Sequence, residues 1–309
     1  MDKFKFYRLG FSSFLIAGML FPASLLLAAQ EQETFTTAQD AAQALLAASE
    51  HNDTRAMLKL FGPDGTDIVK SGDKKEDKQA RAKFSSAARE KMTLIPDPAN
   101  PGKMIISIGA DDWPFPVPLV MKDNRWQFDS SEGREEILAR RIGANEMAAI
   151  EICRGYVESQ FEYAQNHRTK GIPEYAQRIV SSPGRQDGLY WDKTKGLPEC
   201  PIPKGFAAAA ASMKSSKCEP YHGYFFRILT AQGSDAKGGK VSYVVNGSMI
   251  GGFALVAWPA EYSISGVKTF MVDHEGTVFE KDLGADTAKE ACAMTEYNPD
   301  HSWHSVQPE

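Results

Sequence analysis

The apolar residues of this chain repeat with a helical period in some stretches and a strand-like one in others, and no single-class fold accommodates both. Between Ala38 and Glu50, Ala41, Leu45 and Ala48 line one helical face, and Thr37 with Asp40 opens that helix like a capping box. Asp53 caps a second, short helix carrying Met57, Leu58 and Phe61, which Gly62 and Pro63 end. The charged stretch from Asp73 to Lys91 keeps only Ala80, Phe84, Ala87 and Ala88 as a stripe, predicting a surface helix with one edge buried. Then the period changes. Met104 to Ile108 reads as a strand, and Phe115 to Met121 with Arg125 to Phe128 as a hairpin around Asp123-Asn124. Pro114, Pro116 and Pro118 lack ladder donors, which places the Phe115 segment at a sheet edge or in a loop.

A second helix-then-strand sequence follows. Ser130 or Ser131 opens a long helix whose first turn holds Glu132, Glu135 and Glu136, where negative charge suits the helix dipole. Gly143 is a point for a kink. Ile150, Cys153, Val157, Phe161 and Ala164 then form a core-facing stripe that ends between His167 and Gly171. Residues 172–220 have little regular pattern beyond one short helix, Ala207 to Met213. A loop region that long in a compact chain is functional or disordered. From Tyr221 the chain reads as an antiparallel meander with strands Tyr224–Ala231, Val241–Val245, Gly252–Trp258, Val267–Val272 and Thr277–Lys281. A helix from Thr287 to Met294 and a loose tail with His301 and His304 close it. The fold class is therefore α+β: N-terminal helices with a small antiparallel sheet, then a long helix packed on a C-terminal antiparallel meander. The expected segments are a leader over 1–29, an α+β unit over 30–130, the long helix over 131–171, the loop region over 172–220 and the β unit over 221–309.

The leader reading rests on Lys3, Lys5 and Arg8, the nearly uncharged run from Phe11 to Ala29, and the polar Gln30 and Glu31 after it. Cleavage is expected after Ala28 or Ala29. The rival is an uncleaved anchor, because about 18 apolar residues just span a bilayer. We expect export to the periplasm or cell envelope, with no membrane span in the mature chain. The net charge of −5 becomes more negative once the basic leader is gone, which argues against nucleic acid as the partner. The four cysteines would then meet an oxidising compartment, and they contain no Cys-x-x-Cys pair. Cys200 and Cys218 bracket a proline-rich segment and are the expected disulfide, worth about 3 kcal/mol for a loop of that size. Cys153 and Cys292 fall on helical patterns and either pair or serve as small buried residues.

Several strings carry a resemblance. Asp111-Asp112-Trp113-Pro114-Phe115-Pro116, Gly133-Arg134-Glu135-Glu136-Ile137-Leu138 and Tyr221-His222-Gly223-Tyr224 are three of them. Gly251-Gly252-Phe253-Ala254-Leu255-Val256-Ala257-Trp258-Pro259-Ala260-Glu261-Tyr262 is the longest. With these the chain resembles the bacterial exported family catalogued as domain of unknown function 2950, over nearly all of its mature length. The resemblance implies export and class, and no activity. The Cys200 to Cys218 insert departs from the family's usual pattern. The helix and strands of the C-terminal half are also similar to the globular part of pilin-like proteins, although the leader lacks a prepilin cleavage pattern. The N-terminal unit is similar to small cone-shaped α+β domains with a pocket.

The residues with chemical potential each have a plainer reading. His222, between two tyrosines at a strand start, suits a general acid or base, or else packs to orient Tyr221 and Tyr224. No Gly-x-Ser-x-Gly nucleophile accompanies it. Asp273-His274-Glu275 reads as a hairpin turn before it reads as a metal site, and Asp111-Asp112 as a solvated turn before an acidic pair. His301-x-x-His304 lacks the helix or further ligands a metal would need. Asn246-Gly247-Ser248 fits a glycosylation acceptor formally and a type I′ turn physically. Trp258 to Tyr262 reads equally as a binding edge or as a corner filled by Trp258. We therefore expect a non-enzymatic binding protein with no metal and no cofactor, whose partner is an envelope protein or a small ligand. Its binding face would comprise Tyr221, His222, Tyr224, Trp258, Glu261 and Tyr262. The alternatives are an envelope hydrolase using His222 with Glu261 or Asp273, and a pilin-like assembly component.

Overall fold

The structure is a computed structural model describing residues 31–191, 199–212 and 219–307. The leader, its cleavage point and Cys218 lie outside the described residues. The chain divides into two compact units, residues 1–130 and 131–309.

In the first unit, helices α1 (Ala38–Glu50), α2 (Thr54–Phe61), α3 (Thr66–Val69) and α4 (Lys74–Glu90) precede five strands. The strands are β1 (Met92–Asp97), β2 (Asn100–Ile108), β3 (Trp113–Pro114), β4 (Leu119–Lys122) and β5 (Arg125–Phe128). Thr37 Oγ1 accepts the Asp40 N–H at 3.1 Å, and Asp53 Oδ1 accepts those of Arg55 and Ala56 at 2.9 and 3.0 Å. Each helix thus gains partners for amides that its first turn would leave orphaned. The antiparallel sheet runs in the order β1-β2-β4-β5, with β3 also on β2. Leu45, Leu60, Phe61, Ile106, Leu119 and Phe128 fill the core.

Two expectations change here. Met92 to Asp97 was not read as a strand, yet β1 pairs with β2 from Met92↔Ile108 to Asp97↔Asn100. Pro96 hid it, because a proline at an edge strand costs no ladder bond. The buried stripe of α4 uses Arg81 where Ala80 was expected, and Ala80 is exposed. The Arg81 guanidinium donates to Asn52 Oδ1 at 2.7 Å, Thr54 Oγ1 at 3.0 Å and Val69 O at 2.8 Å, which offsets its desolvation.

The second unit begins with α5 (Ser130–Asn166), one unbroken helix of 37 residues that continues through Gly143. The hairpin of β6 (Arg168–Thr169) and β7 (Ile172–Pro173) follows, then extended chain and α6 (Lys204–Ser212). Next come β8 (Tyr224–Leu229), the short strands β9 (Ala231–Gln232), β10 (Val241–Ser242), β11 (Val244–Val245) and β12 (Ser248–Met249), then β13 (Ala254–Pro259), β14 (Lys268–Asp273) and β15 (Val278–Asp282). Helix α7 (Thr287–Ala293) and β16 (His304–Ser305) complete the described chain.

The main antiparallel sheet has the order β16-β15-β14-β13-β8. Residues 241–245, expected as one meander strand, instead split between two small hairpins, β9 with β10 and β11 with β12. Asn246 and Gly247 turn the second at φ 51° and 84°, a left-handed pair suited to a two-residue hairpin. The tail is not loose, because Glu280↔His304 and Phe279↔Ser305 add β16 to the sheet. All six residues of β13 are buried, so both faces of the sheet are covered. Helix α5 contributes Ala149, Cys153, Tyr156 and Val157 to that core.

Candidate functional site

The displacement of residues 241–245 leaves β8 at the sheet's edge. Successive residues of a strand direct their backbone groups to opposite sides. Ala260 N–H donates to Gly223 O, so the odd-numbered residues of β8 face β13. The even-numbered ones face outward. At one end, Tyr224 exchanges two backbone hydrogen bonds with Tyr221, at 2.9 and 3.1 Å. At the other, Thr230 O accepts the Tyr243 N–H at 2.9 Å. Between them, the outward N–H and C=O of Phe226 and Ile228 meet no partner among the described residues.

A groove of about 530 Å³ opens there. Among the described residues it is lined by Phe226, Arg227 and Ile228, by residues 177–183, and by Ala210 and Ala211 of α6. Helix α6 is held by Phe206, whose ring stands edge-on to Phe226 at 5.1 Å. The 177–183 segment is braced in turn. Tyr190 donates to Ile179 O at 2.9 Å and accepts from the Ser181 N–H at 2.8 Å. Val180, the bridge residue between them, therefore carries its own N–H and C=O on the side away from Tyr190. Asp187 accepts the Ser182 N–H at 2.7 Å and its hydroxyl at 2.9 Å, which holds the Asp187 carboxyl below the usual range.

The expected binding face divides between core and surface. Tyr224 is 0% exposed, and its hydroxyl donates to Lys268 O at 2.9 Å. Trp258 is 2% exposed, with the Phe225 ring at 5.9 Å and the Arg227 guanidinium at 5.6 Å. Both pack the sheet and contribute no binding surface, because side chains on a strand that is covered on both faces have no route to solvent. Tyr221 is half-buried against Phe206 at 5.6 Å. His222 and Gly223, at φ 48° and 74°, form the turn that pairs Tyr221 with Tyr224. The exposed His222 ring lies edge-on to Tyr221 at 4.5 Å. Glu261 is exposed, and the Tyr262 hydroxyl donates to Asp282 Oδ2 at 3.3 Å, which raises the phenol's pKa.

The register places His222 and Glu261 at neighbouring strand ends, and no hydrogen bond joins them. Asp273 pairs with Ala254, whereas Tyr224 pairs with Pro259 five residues along β13. That is roughly 17 Å of strand, too far for Asp273 to assist His222. Asp273 instead accepts the Glu275 N–H at 3.0 Å in the β14–β15 turn, and burial raises its carboxyl pKa. His274 Nδ1 is buried without a hydrogen-bond partner, 4.0 Å from Asp273 Oδ2. Asp112 forms an ion pair with Lys91 at 2.7 Å. Among the described residues, no cluster of three or more His, Cys, Asp or Glu side chains could hold a metal. No helix there is long and apolar enough to cross a membrane.

Cys200 and Cys292 depart from expectation, while Cys153 is the small buried residue that its helical stripe allowed. Cys153, Cys200 and Cys292 are free thiols. Cys153 is fully buried, and burial pushes its thiol up to about 12. Cys292 is exposed at the end of α7, so it neither pairs with Cys153 nor fills a core. Cys200 Sγ lies at the Trp191 backbone, accepting its N–H at 3.4 Å and donating to its carbonyl at 3.2 Å. It stands there as a thiol where a bridge was expected.

These features define a two-unit α+β protein with a groove beside an open strand edge. The chain belongs to the family described as a protein of unknown function (DUF2950), whose model matches residues 32–306 and so covers both units. No curated protein and no solved structure matches it.

Proposed function

We propose that this is an exported, non-enzymatic protein of the cell envelope that binds a partner or ligand in the groove beside β8. The observation that carries this reading is the groove itself. It combines a volume in the range of ligand sites with outward-directed backbone groups that have no partner among the described residues. The leader of residues 1–29 supplies the route of export. His222 and Glu261 are a weaker basis for hydrolysis, because both are exposed and no hydrogen bond joins them.

The test is affinity capture of the leader-free chain from envelope extracts, with mass spectrometry of both proteins and extracted small molecules. It is run beside Ala211→Trp, which fills the groove from an exposed position of α6. Ala208→Trp, exposed on the same helix and outside the groove lining, is the control. The proposal expects a species retained by the parent and the control and lost with Ala211→Trp. Equal retention by all three would remove the groove as the site.

A further inference from the structure

We propose that the groove takes a short extended peptide bearing a carboxylate, which pairs with β8 as an added edge strand. This rests on the binding reading and goes on to name the ligand's chemistry.

The spacing of the backbone groups is what a strand requires. Phe226 and Ile228 are two residues apart and present a donor and an acceptor each to the groove, the repeat at which an antiparallel neighbour bonds. Open β edges are the usual template for strand addition. This one is bounded, because Tyr221 closes it beside Tyr224 and Tyr243 closes it beside Thr230. The interval from Tyr224 to Thr230 is roughly 20 Å of strand, which admits about four extended residues. A long strand of a second copy would collide with those closures. Val180, which also lines the groove, adds one more N–H and C=O without a partner among the described residues.

Charge selects among peptides. The chain is acidic overall, at −5, yet among the described residues the only charged side chains lining the groove are Arg178 and Arg227. Arg227 is occupied by the Ala291, Cys292 and Met294 carbonyls of α7 and its C-cap. Arg178 is exposed and donates one N–H to Ser182 Oγ at 2.9 Å, which leaves further donors of its planar fork for a carboxylate. Ala210 and Ala211 leave room for side chains on one face of the strand, and Ile179 and Phe226 are apolar.

The probe is a dye-labelled five-residue peptide alternating valine with aspartate, titrated by fluorescence polarisation against the leader-free chain. It is compared with a copy carrying lysine for aspartate and with two copies N-methylated at alternate amides, one in each register. We expect saturable binding of the parent peptide and at least a tenfold loss for the lysine copy and for one N-methylated copy. Arg178→Glu should weaken the parent peptide at least tenfold, and Ala211→Trp should abolish binding. Parent binding that N-methylation leaves unchanged overturns strand addition. So does an absence of binding by either charge form up to about 1 mM, the weak limit of specific recognition. In both cases the broader binding reading still stands if capture from envelopes is lost with Ala211→Trp, and falls with the peptide if it is not.

Discussion

At the residue scale, burial decides what a side chain does here. Trp258 looks like a binding residue in sequence because an aromatic beside Pro259, Glu261 and Tyr262 suggests an exposed loop. It is instead a sealed core side chain. Trp258→Ala should cost about 3–5 kcal/mol in urea denaturation, the range for emptying a large core site. Glu261→Ala, exposed three residues on, should change stability by about 0.5 kcal/mol or less. Asp273 gives a pH signature. Desolvation raises its carboxyl pKa, so its ionised form destabilises the native state above that raised value. As pH falls through it, the native state takes up the proton before the unfolded chain does, and the penalty disappears. Asp273→Asn should therefore stabilise the protein relative to the parent near pH 7, and the difference should vanish once the pH falls below the ordinary aspartate range, where the unfolded chain is protonated too. Paired thermal melts read this directly, and a pH-independent difference would contradict it. Cys153 and Cys292 make a simpler contrast. A thiol reagent applied to the folded chain should modify exposed Cys292 and spare Cys153, whose thiol is buried and pushed up to about 12.

At the element scale, the helix caps are the clearest local code. Asp53→Ala removes the acceptor for two first-turn amides of α2 and should cost the first unit about 1 kcal/mol, measured as a lower denaturation midpoint. The same local signals made α1, α2 and the hairpin of β4 and β5 legible in the sequence, since Thr37, Asp53 and Asp123-Asn124 act within a few residues of themselves. Elements that depend on distant partners were not legible. Strand β1 exists because β2 pairs with it, and β16 because β15 offers an edge. Residues 241–245 have a strand-like composition, but no local signal states that β8 will pair with β13 and leave them to small hairpins. The groove follows from that same displacement. Part of its lining lies in the proline- and glycine-rich stretch after α5, whose only sequence signal was its length without pattern. Arg81 was hidden for a related reason, because its three acceptors come from α2's entry and α3, far from it in sequence.

At the scale of the whole molecule, each unit has its own core, one built around Leu45, Phe61, Ile106 and Phe128, the other around Tyr156, Tyr224, Phe253 and Phe270. Residues 31–130 alone should therefore unfold cooperatively, as a single transition shared by far-ultraviolet circular dichroism and the fluorescence of Trp113 and Trp126. In the second unit, β8 presents to a groove an edge with no partner among the described residues. The most direct measurement is residue-resolved amide hydrogen exchange across β8 in the leader-free chain. The amides of Phe225, Arg227 and Leu229, which face β13, should be strongly protected, while those of Phe226 and Ile228 should exchange orders of magnitude faster. Uniform strong protection along β8 would mean that its outer edge is already paired and the groove closed to an added strand.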